Sequence, residues 1–378
     1  MAKILAKPID TQKIKPVVDA IQQRYLTNEY FIKNPIDFSK SKIELGSIKR
    51  PESTITIHVC NPKGGSSKTT GNELVTYSLN LIAYSAQNPD FTFDNPLNVG
   101  IVTADRNEGL VRRYTETYLQ NHFSSSMKNH FIGVEYGDDE SSDKSMYQIN
   151  TDVRDKLVPA SKISPQLRKK HGIDSESENT YFIEKKGSDN EEEFTKLDFS
   201  IWDLAAGTNE LETDKADRVL ITCKMAESES IDNALITLKQ KLKRQHEEVL
   251  AMLKEQGFAG TDEQIIAYKA AQKTVHTVLI SNNTNKQSYI SIMNDVKYRI
   301  QSICSEYLED VNLIEVPYFP LDTFRKLNIN PTIPTEQWKA YKRTVRGVEG
   351  LYLNNVKCIE ERHDMIDFMK ELVEVIGG

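Results

Sequence analysis

One stretch constrains this chain more than any other. Thr54-Ile-Thr-Ile-His-Val59 alternates β-branched residues as a strand does, and it runs directly into Cys60-Asn-Pro-Lys-Gly-Gly-Ser-Ser-Lys-Thr-Thr70. Beyond it Leu74, Tyr77, Leu81 and Tyr84 recur at three- and four-residue spacing, which predicts an amphipathic helix over residues 69–86 with Gly71 as a modest defect. A strand, a Gly-rich turn and a helix in immediate succession form a phosphate cradle. Gly64 and Gly65 let the backbone approach, its N–H groups meet phosphate oxygens, and the positive end of the helix adds a favourable potential. In such a cradle Lys68 meets the terminal phosphates and Thr69 ligates Mg²⁺. The strict pattern G-x-x-x-x-G-K-[ST] is not met, because Pro62 and Ser67 stand where it asks for glycine.

The pattern downstream predicts a fold of class α/β. Further apolar runs at residues 98–104, 199–204, 219–223, 277–281 and 312–317 read as strands. Between them, residues 231–256 and 287–308 read as helices. Strands alternating with helices indicate βαβ units and a mostly parallel sheet flanked by helices. Residues 1–52 are basic and proline-containing, with one amphipathic helix expected at 17–26, and read as an N-terminal arm. Residues 53–335 form the main domain. Within it 138–197 is an acidic insertion, with Ser, Asp and Glu dense over 137–145 and 174–197, where solvated loops are expected. Residues 336–378 read as a C-terminal extension of two helices.

Composition narrows the function classes. The chain has 378 residues, 38% hydrophobic and 27% charged, with a net charge of −7, enough to bury a substantial core and too acidic for a general nucleic-acid coat. No apolar run approaches the ~20 residues of a membrane span. Without a secretory signal pattern at the start, the chain is expected in the cytoplasm. Cys60, Cys223, Cys304 and Cys358 are scattered with no Cys-x-x-Cys pair, which disfavours a zinc site, an iron–sulfur cluster or a disulfide framework and leaves them as core residues. His58, inside the first strand, reads as structural.

Lys63-Gly64-Gly65-Ser66-Ser67-Lys68-Thr69-Thr70 resembles the deviant Walker A motif, K-G-G-x-x-K-[ST]-[ST], of the ParA/MinD family of ATPases, with Ser67 in place of the usual glycine. The resemblance implies a P-loop fold of the SIMIBI type, with ATP and Mg²⁺ sandwiched in a homodimer and Lys63 reaching across to the partner's phosphates. Two further segments are similar to family motifs. Asp105, after Val99-Gly-Ile-Val-Thr-Ala, falls on the aspartate that orients the attacking water, although Thr103 and Arg106-Asn107 depart from D-x-D-P-Q. Asp203, closing Phe199-Ser-Ile-Trp, falls on the Walker B aspartate that holds Mg²⁺, with Gly207 marking the second switch. Ala216-Asp217 resembles the pair preceding the family's next strand. Asn282 and Pro317, with the Pro320-Leu321-Asp322 turn, fall where members of this family contact the adenine.

By this resemblance the chain is a slow, partner-stimulated ATPase. It dimerises on ATP, binds DNA nonspecifically and, with a centromere-binding adaptor protein, partitions a plasmid or other DNA on the nucleoid of a prokaryote. Lys339, Lys342, Arg343 and Arg346, spaced as one face of a helix beside Trp338 and Tyr341, are the expected phosphate-backbone contact. Lys239, Lys241, Lys243 and Arg244, and then Arg168-Lys-Lys170, are further basic clusters. The second reading is a positioning or conjugation-associated ATPase acting on a protein or membrane cargo, and the third a module that uses ATP as a structural clamp. The last helix carries an acidic polar face that anionic lipid would repel, so it is expected to pack on the protein and no membrane is expected. The missing paired cysteines disfavour redox ATPases of the nitrogenase-iron-protein type.

Overall fold

The alternation that marks the first strand has to be buried on both sides, and the tertiary structure shows how. In the computed structural model, residues 48–84, 90–91, 95–103, 127–132, 156–173, 179–186, 192–204, 216–272, 274–282, 286–318, 341–345, 348–353 and 356–377 are described. Strand β1 (Ile55–Cys60) lies at the centre of a seven-stranded sheet with β2 (Leu97–Thr103), β3 (Met127–Ile132), β7 (Phe199–Asp203), β8 (Arg218–Lys224), β9 (Val275–Ser281) and β10 (Val311–Val316). Its order is β10-β9-β8-β1-β7-β2-β3, and the pairings are parallel throughout.

Two helical layers cover the sheet, and the strand period of two sends alternate residues to each. Ile57, Val59, Phe199, Ile201, Leu220 and Leu279 enter one core with α1 (Lys68–Tyr84) and α6 (His363–Gly377). Cys60, Trp202, Val219, Ile221, Val278 and Ile280 enter the other, under α3 (Ser228–Glu255) and α5 (Lys286–Tyr307). A further helix, α4 (Asp262–Gln272), packs on α3. Burial on both faces explains why these strands are near-continuous apolar runs.

Helix α1 differs from the amphipathic expectation. Every residue from Gly71 to Ile82 is buried, including Asn72, Glu73, Thr76, Ser78 and Asn80. A helix buried all round belongs to the interior of a layered domain. Nor is Gly71 a defect, because a Cβ there would stand 3.0 Å from Thr222 Cγ2 and 3.2 Å from Val59 Cγ1. The glycine lets α1 lie close against β1 and β8.

The acidic region is partly folded. Strands β4 (Val158–Pro159), β5 (Tyr181–Lys186) and β6 (Glu192–Lys196) form a small antiparallel sheet, with α2 (Pro165–Lys170) packed through a cluster of Ala160, Ile163, Ile173 and Phe182. This corrects the expectation of loops over 181–186 and 192–196. Two β-rich segments bury a shared apolar face, while the Ser/Asp/Glu density of the neighbouring stretches masks their alternation.

The tail also differs from expectation. Residues 341–345 form strand β11 (Tyr341–Val345), antiparallel to β12 (Val348–Leu353), which pairs in turn with β13 (Val356–Lys357), and among the described residues of the tail the α-helix is α6. Val345 pairs with Val348 across two residues, Arg346-Gly347. An X-Gly pair between β-branched residues is a hairpin signal that outweighed the helical spacing of the cations. Helix α6 turns Met365, Phe368, Met369, Leu372, Val373 and Ile376 into the first core, as a protein-packed helix must. Ile48 joins that core, and Arg50 binds the buried Asp198 at 2.6 Å. The expected helix at 17–26 lies outside the described residues. No helix among the described residues is long and apolar enough to cross a membrane.

Candidate functional site

Strand order places the site before any side chain is considered. The chain leaves β1 through α1 towards β2 on one side of β1, whereas it leaves β8, the neighbour on the other side, through α3 towards β9, farther out. The loops after β1 and β8 therefore part at the carboxyl edge of the sheet. In open parallel sheets this divergence makes the crevice where ligands bind. The Gly-rich turn occupies one wall of it.

Asn61 holds that turn in place. Its Oδ1 accepts from the Lys63 N–H at 2.8 Å, closing an Asx turn over Pro62, and its Nδ2 donates to the carbonyls of Thr222 at 2.6 Å and Ser230 at 3.3 Å. The loop is thereby fixed to the end of β8 and the start of α3. Sequence reasoning passed over Asn61, although an Asn-Pro step after a strand is a turn signal. Gly65 has φ +74°, a conformation open to glycine, and an added Cβ at Gly64 or Gly65 would meet nothing within 4 Å. Their inner face is clear for a ligand. Ser67 also has positive φ, at 73°, which is strained for a side chain. It takes the backbone conformation a glycine would occupy freely, and its carbonyl accepts the first helical bond, from Gly71 N–H at 2.8 Å.

The side chains converge on the same point. Lys68 is 8% exposed, with Nζ 3.2 Å from the Lys63 carbonyl, so its ammonium lies over the turn. The Thr69 hydroxyl donates to Asp203 Oδ2 at 2.9 Å. Asp203 comes from the end of β7, 134 residues away in sequence, and is 2% exposed. A hydroxyl and a buried carboxylate in contact are a suitable donor pair for a hard cation. Ser66 Oγ is buried without a hydrogen-bond partner, and so are both side-chain polar atoms of Asn72, one turn farther along α1. Unpartnered polar atoms beside a glycine cradle fit a ligand rich in oxygen. Nothing in the sequence pointed to Asn72.

Lys63 is held within its own chain, by Glu229 at 2.7 Å and Glu227 at 3.7 Å. The hydrogen bond to Glu229 raises its ammonium above the ordinary lysine range. Thr70 lies in the first turn of α1. Asp217 accepts the Thr56 N–H at 2.8 Å and ties β8 to β1, a structural part. His58 is buried with its ring 5.6 Å from that of Trp202, as a structural histidine would be.

At the far end of the crevice Asn282 follows β9 and bonds Glu315 through Nδ2 at 2.7 Å, with Pro317 just past β10. Asp105, Gly207 and the 320–322 turn lie outside the described residues. So do Lys339 and Arg346, whereas Lys342 and Arg343 stand on strand β11. The single helical face expected from those four cations does not form. Of the other basic clusters, the α3 cations Lys239, Lys243 and Arg244 pair with Glu306 at 2.8 Å, Glu247 at 3.8 Å and Glu248 at 3.0 Å. These contacts offset their charge and weaken the case for a DNA-binding face there. Among the described residues no cluster of His, Cys, Asp or Glu has the makeup of a metal site, and the four cysteines are free, three of them buried. No protein-family model matches the chain, and no curated protein matches it.

Proposed function

We propose that the chain is a nucleotide-driven ATPase of the ParA/MinD kind that pairs with a second copy on ATP, binds DNA without sequence preference and partitions it with an adaptor protein. The observation that carries this reading is the contact of Thr69 with Asp203 at the mouth of the β1–α1 turn, beneath Lys68 and at the divergence of the β1 and β8 loops. Two segments far apart in sequence, the start of α1 and the end of β7, supply those groups. The residues fit an ATP·Mg²⁺ ligand: a cradle with a clear glycine face, an unpartnered Ser66 hydroxyl and a hydroxyl–carboxylate pair.

In this reading the backbone of residues 64–69 and the Lys68 ammonium hold phosphate oxygens, and Thr69 and Asp203 hold the cation. Mg²⁺ supplies neutralisation of the phosphate charge that builds during transfer. Lys68 exchanges its contact with the Lys63 carbonyl for a phosphate oxygen, in a site where burial strengthens its field. Lys63 leaves Glu229 and Glu227 to meet the partner subunit's nucleotide, and Asp105 positions water. DNA binding belongs to the ATP-held pair.

The test is retention of nonspecific duplex DNA with ATP, with ADP and without nucleotide, at two salt concentrations, alongside Lys68→Ala. Retention that needs ATP, weakens with salt and is lost in Lys68→Ala supports the proposal. Failure to bind any nucleotide overturns it. Pairing on ATP without DNA retention transfers the reading to a protein or membrane cargo.

A further inference from the structure

The small module of β4, β5, β6 and α2 carries a charge that the rest of the chain does not. Residues 156–173 hold Lys156, Lys162, Arg168, Lys169 and Lys170 and no Asp or Glu, in a chain of net charge −7. Local chemistry fixes α2 despite its shortness. The Ser164 hydroxyl accepts from the Leu167 N–H at 3.3 Å and Pro165 opens the helix. Gly172, at φ +69°, closes it, and the Ile173 N–H donates to the Arg168 carbonyl at 3.0 Å. Leu167 and Ile173 join Phe182 in the module's own core, and the His171 ring stands edge-on to Phe182 with centroids 5.3 Å apart. His171 adds no charge near neutral pH, because burial, with Lys170 and Lys196 adding, lowers its pKa from the ordinary histidine value.

What the module leaves outside is cationic. Lys162, in the turn before α2, and Lys169 and Lys170, in its last turn, are exposed, and among the described residues none of the three has an ion pair. The α3 cations, by contrast, lie against Glu306, Glu247 and Glu248. The negative end of α2 suits cations in its last turn, but Lys156 and Lys162 precede the helix and gain nothing from it. Three unpaired ammoniums on a capped scaffold match a ligand of closely spaced negative charge. The described residues of the module expose no large apolar or aromatic side chain. A lipid surface asks for apolar residues to insert and a single strand for rings to stack on, whereas the phosphate backbone of a duplex asks only for cations.

The module also lies away from the Gly-rich turn. The Thr54 hydroxyl, just before β1, donates to the Leu197 carbonyl at 2.7 Å and accepts from the Tyr181 N–H at 2.9 Å. Lys196 Nζ donates to the carbonyls of Pro51 at 3.1 Å and Glu52 at 2.8 Å. These bonds fix the start of β5 and the end of β6 to the amino edge of the sheet. The Gly-rich turn leaves the carboxyl edge, a β1 length away, about 20 Å at ~3.3 Å per residue. We propose that this module is a docking surface for duplex DNA, on which Lys162, Lys169 and Lys170 hold the phosphate backbone in a single chain and without nucleotide. The contact stands whether or not the Gly-rich turn holds ATP. One chain's few contacts hold weakly and at low salt, whereas a pair of chains brings two such surfaces to one duplex, so firm retention belongs to the pair.

The experiment measures binding of the full chain, without nucleotide, to a fluorescently labelled duplex of arbitrary sequence as salt rises from about 50 to about 200 mM. Three phosphate contacts, at a log–log slope of about 0.9 each, should weaken binding by at least about 40-fold over that range. Lys162→Gln/Lys169→Gln/Lys170→Gln should make the slope shallower by about 2.7, with labelled-ADP binding and the denaturation midpoint as in the wild type. Lys169→Gln alone should take away about 0.9, and it decides the matter if the triple variant does not fold. Lys239→Gln/Lys243→Gln/Arg244→Gln, on α3, removes the same charge and should change duplex affinity by less than about twofold. No duplex binding at the lower salt, an unchanged slope in the module variants, or an equal change in the α3 variant overturns this inference. Retention by phosphatidylserine vesicles in place of the duplex does so too. Duplex binding that appears only with ATP overturns it and leaves the ATPase reading standing, whereas absence of ADP binding in the wild type overturns that reading and leaves this one.

Discussion

Asp203→Asn should make the ligand-free protein no less stable and yet remove its response to Mg²⁺ and nucleotide. The Asp203 carboxylate is 2% exposed and meets the Thr69 hydroxyl at 2.9 Å. Burying a carboxylate costs several kcal/mol before its partners offset it, more than burying a neutral group of the same shape. Asparagine keeps the shape, its Oδ1 can still accept from Thr69, and the charge is gone. Ligand-free stability should therefore hold or rise, by up to about 2 kcal/mol. With a nucleotide at a hundred times its dissociation constant, the wild type should gain about 2.7 kcal/mol, and the Mg²⁺-dependent share of that gain should vanish in the variant. Urea denaturation with and without Mg²⁺·ADP reads both quantities. A variant that loses more than about 2 kcal/mol without ligand, or that keeps the full Mg²⁺-dependent gain, would refute the assignment of Asp203 as a cation ligand tolerated at a stability cost.

Three further outcomes are expected. Ser67→Gly relieves a left-handed residue, about 1–2 kcal/mol, against about 0.4–1 kcal/mol of added unfolded-chain freedom, so denaturation should show a gain of about 0.5–1 kcal/mol. Gly71→Val should lose about 1–3 kcal/mol, because its Cβ would press on Thr222 and Val59 in buried strands; an unchanged denaturation midpoint would contradict that packing. Burial, with Lys241 and Lys269 adding, pulls the His276 pKa down to about 3, so the unfolded chain, titrating near 6.5, binds the extra proton between those values. Stability from this group is thus present above pH ~6.5 and falls as pH drops towards ~3, a loss of about 2 kcal/mol at pH 5. His276→Leu should flatten the stability curve between pH 7 and pH 5 by that amount.

Much of the fold was legible because its signals are local. The strands beginning near 55, 98, 199, 219, 277 and 312 and the helices near 231 and 287 are strongly apolar or strongly periodic, and each lies within a few residues of its expected place. Elements with weak local patterns escaped: β3, α4 and the β5–β6 hairpin, whose apolar residues are interrupted by charge. The 339–346 stripe misled because helical spacing of cations is compatible with any backbone. The β-branched residues and Gly347 around it carried the stronger preference.

The candidate site divides along the same line. Sequence by itself determined the turn, since two glycines, two lysines and a Thr-Thr pair between a strand and a helix are a local chemical statement that folding can only position. It also marked Asp203, because an aspartate closing an apolar strand needs a partner. Only the tertiary structure decided which partner. Thr69 and Asp203 are 134 residues apart and meet because β1 and β7 are neighbours in register, and Asn61 reaches Thr222 because β8 flanks β1 on the other side. The same holds for Lys63 on Glu229 and for Glu315 between Asn282 and Tyr289. Contacts of that kind depend on strand order, and strand order is set by how two helical layers bury one sheet, which no short window of residues encodes.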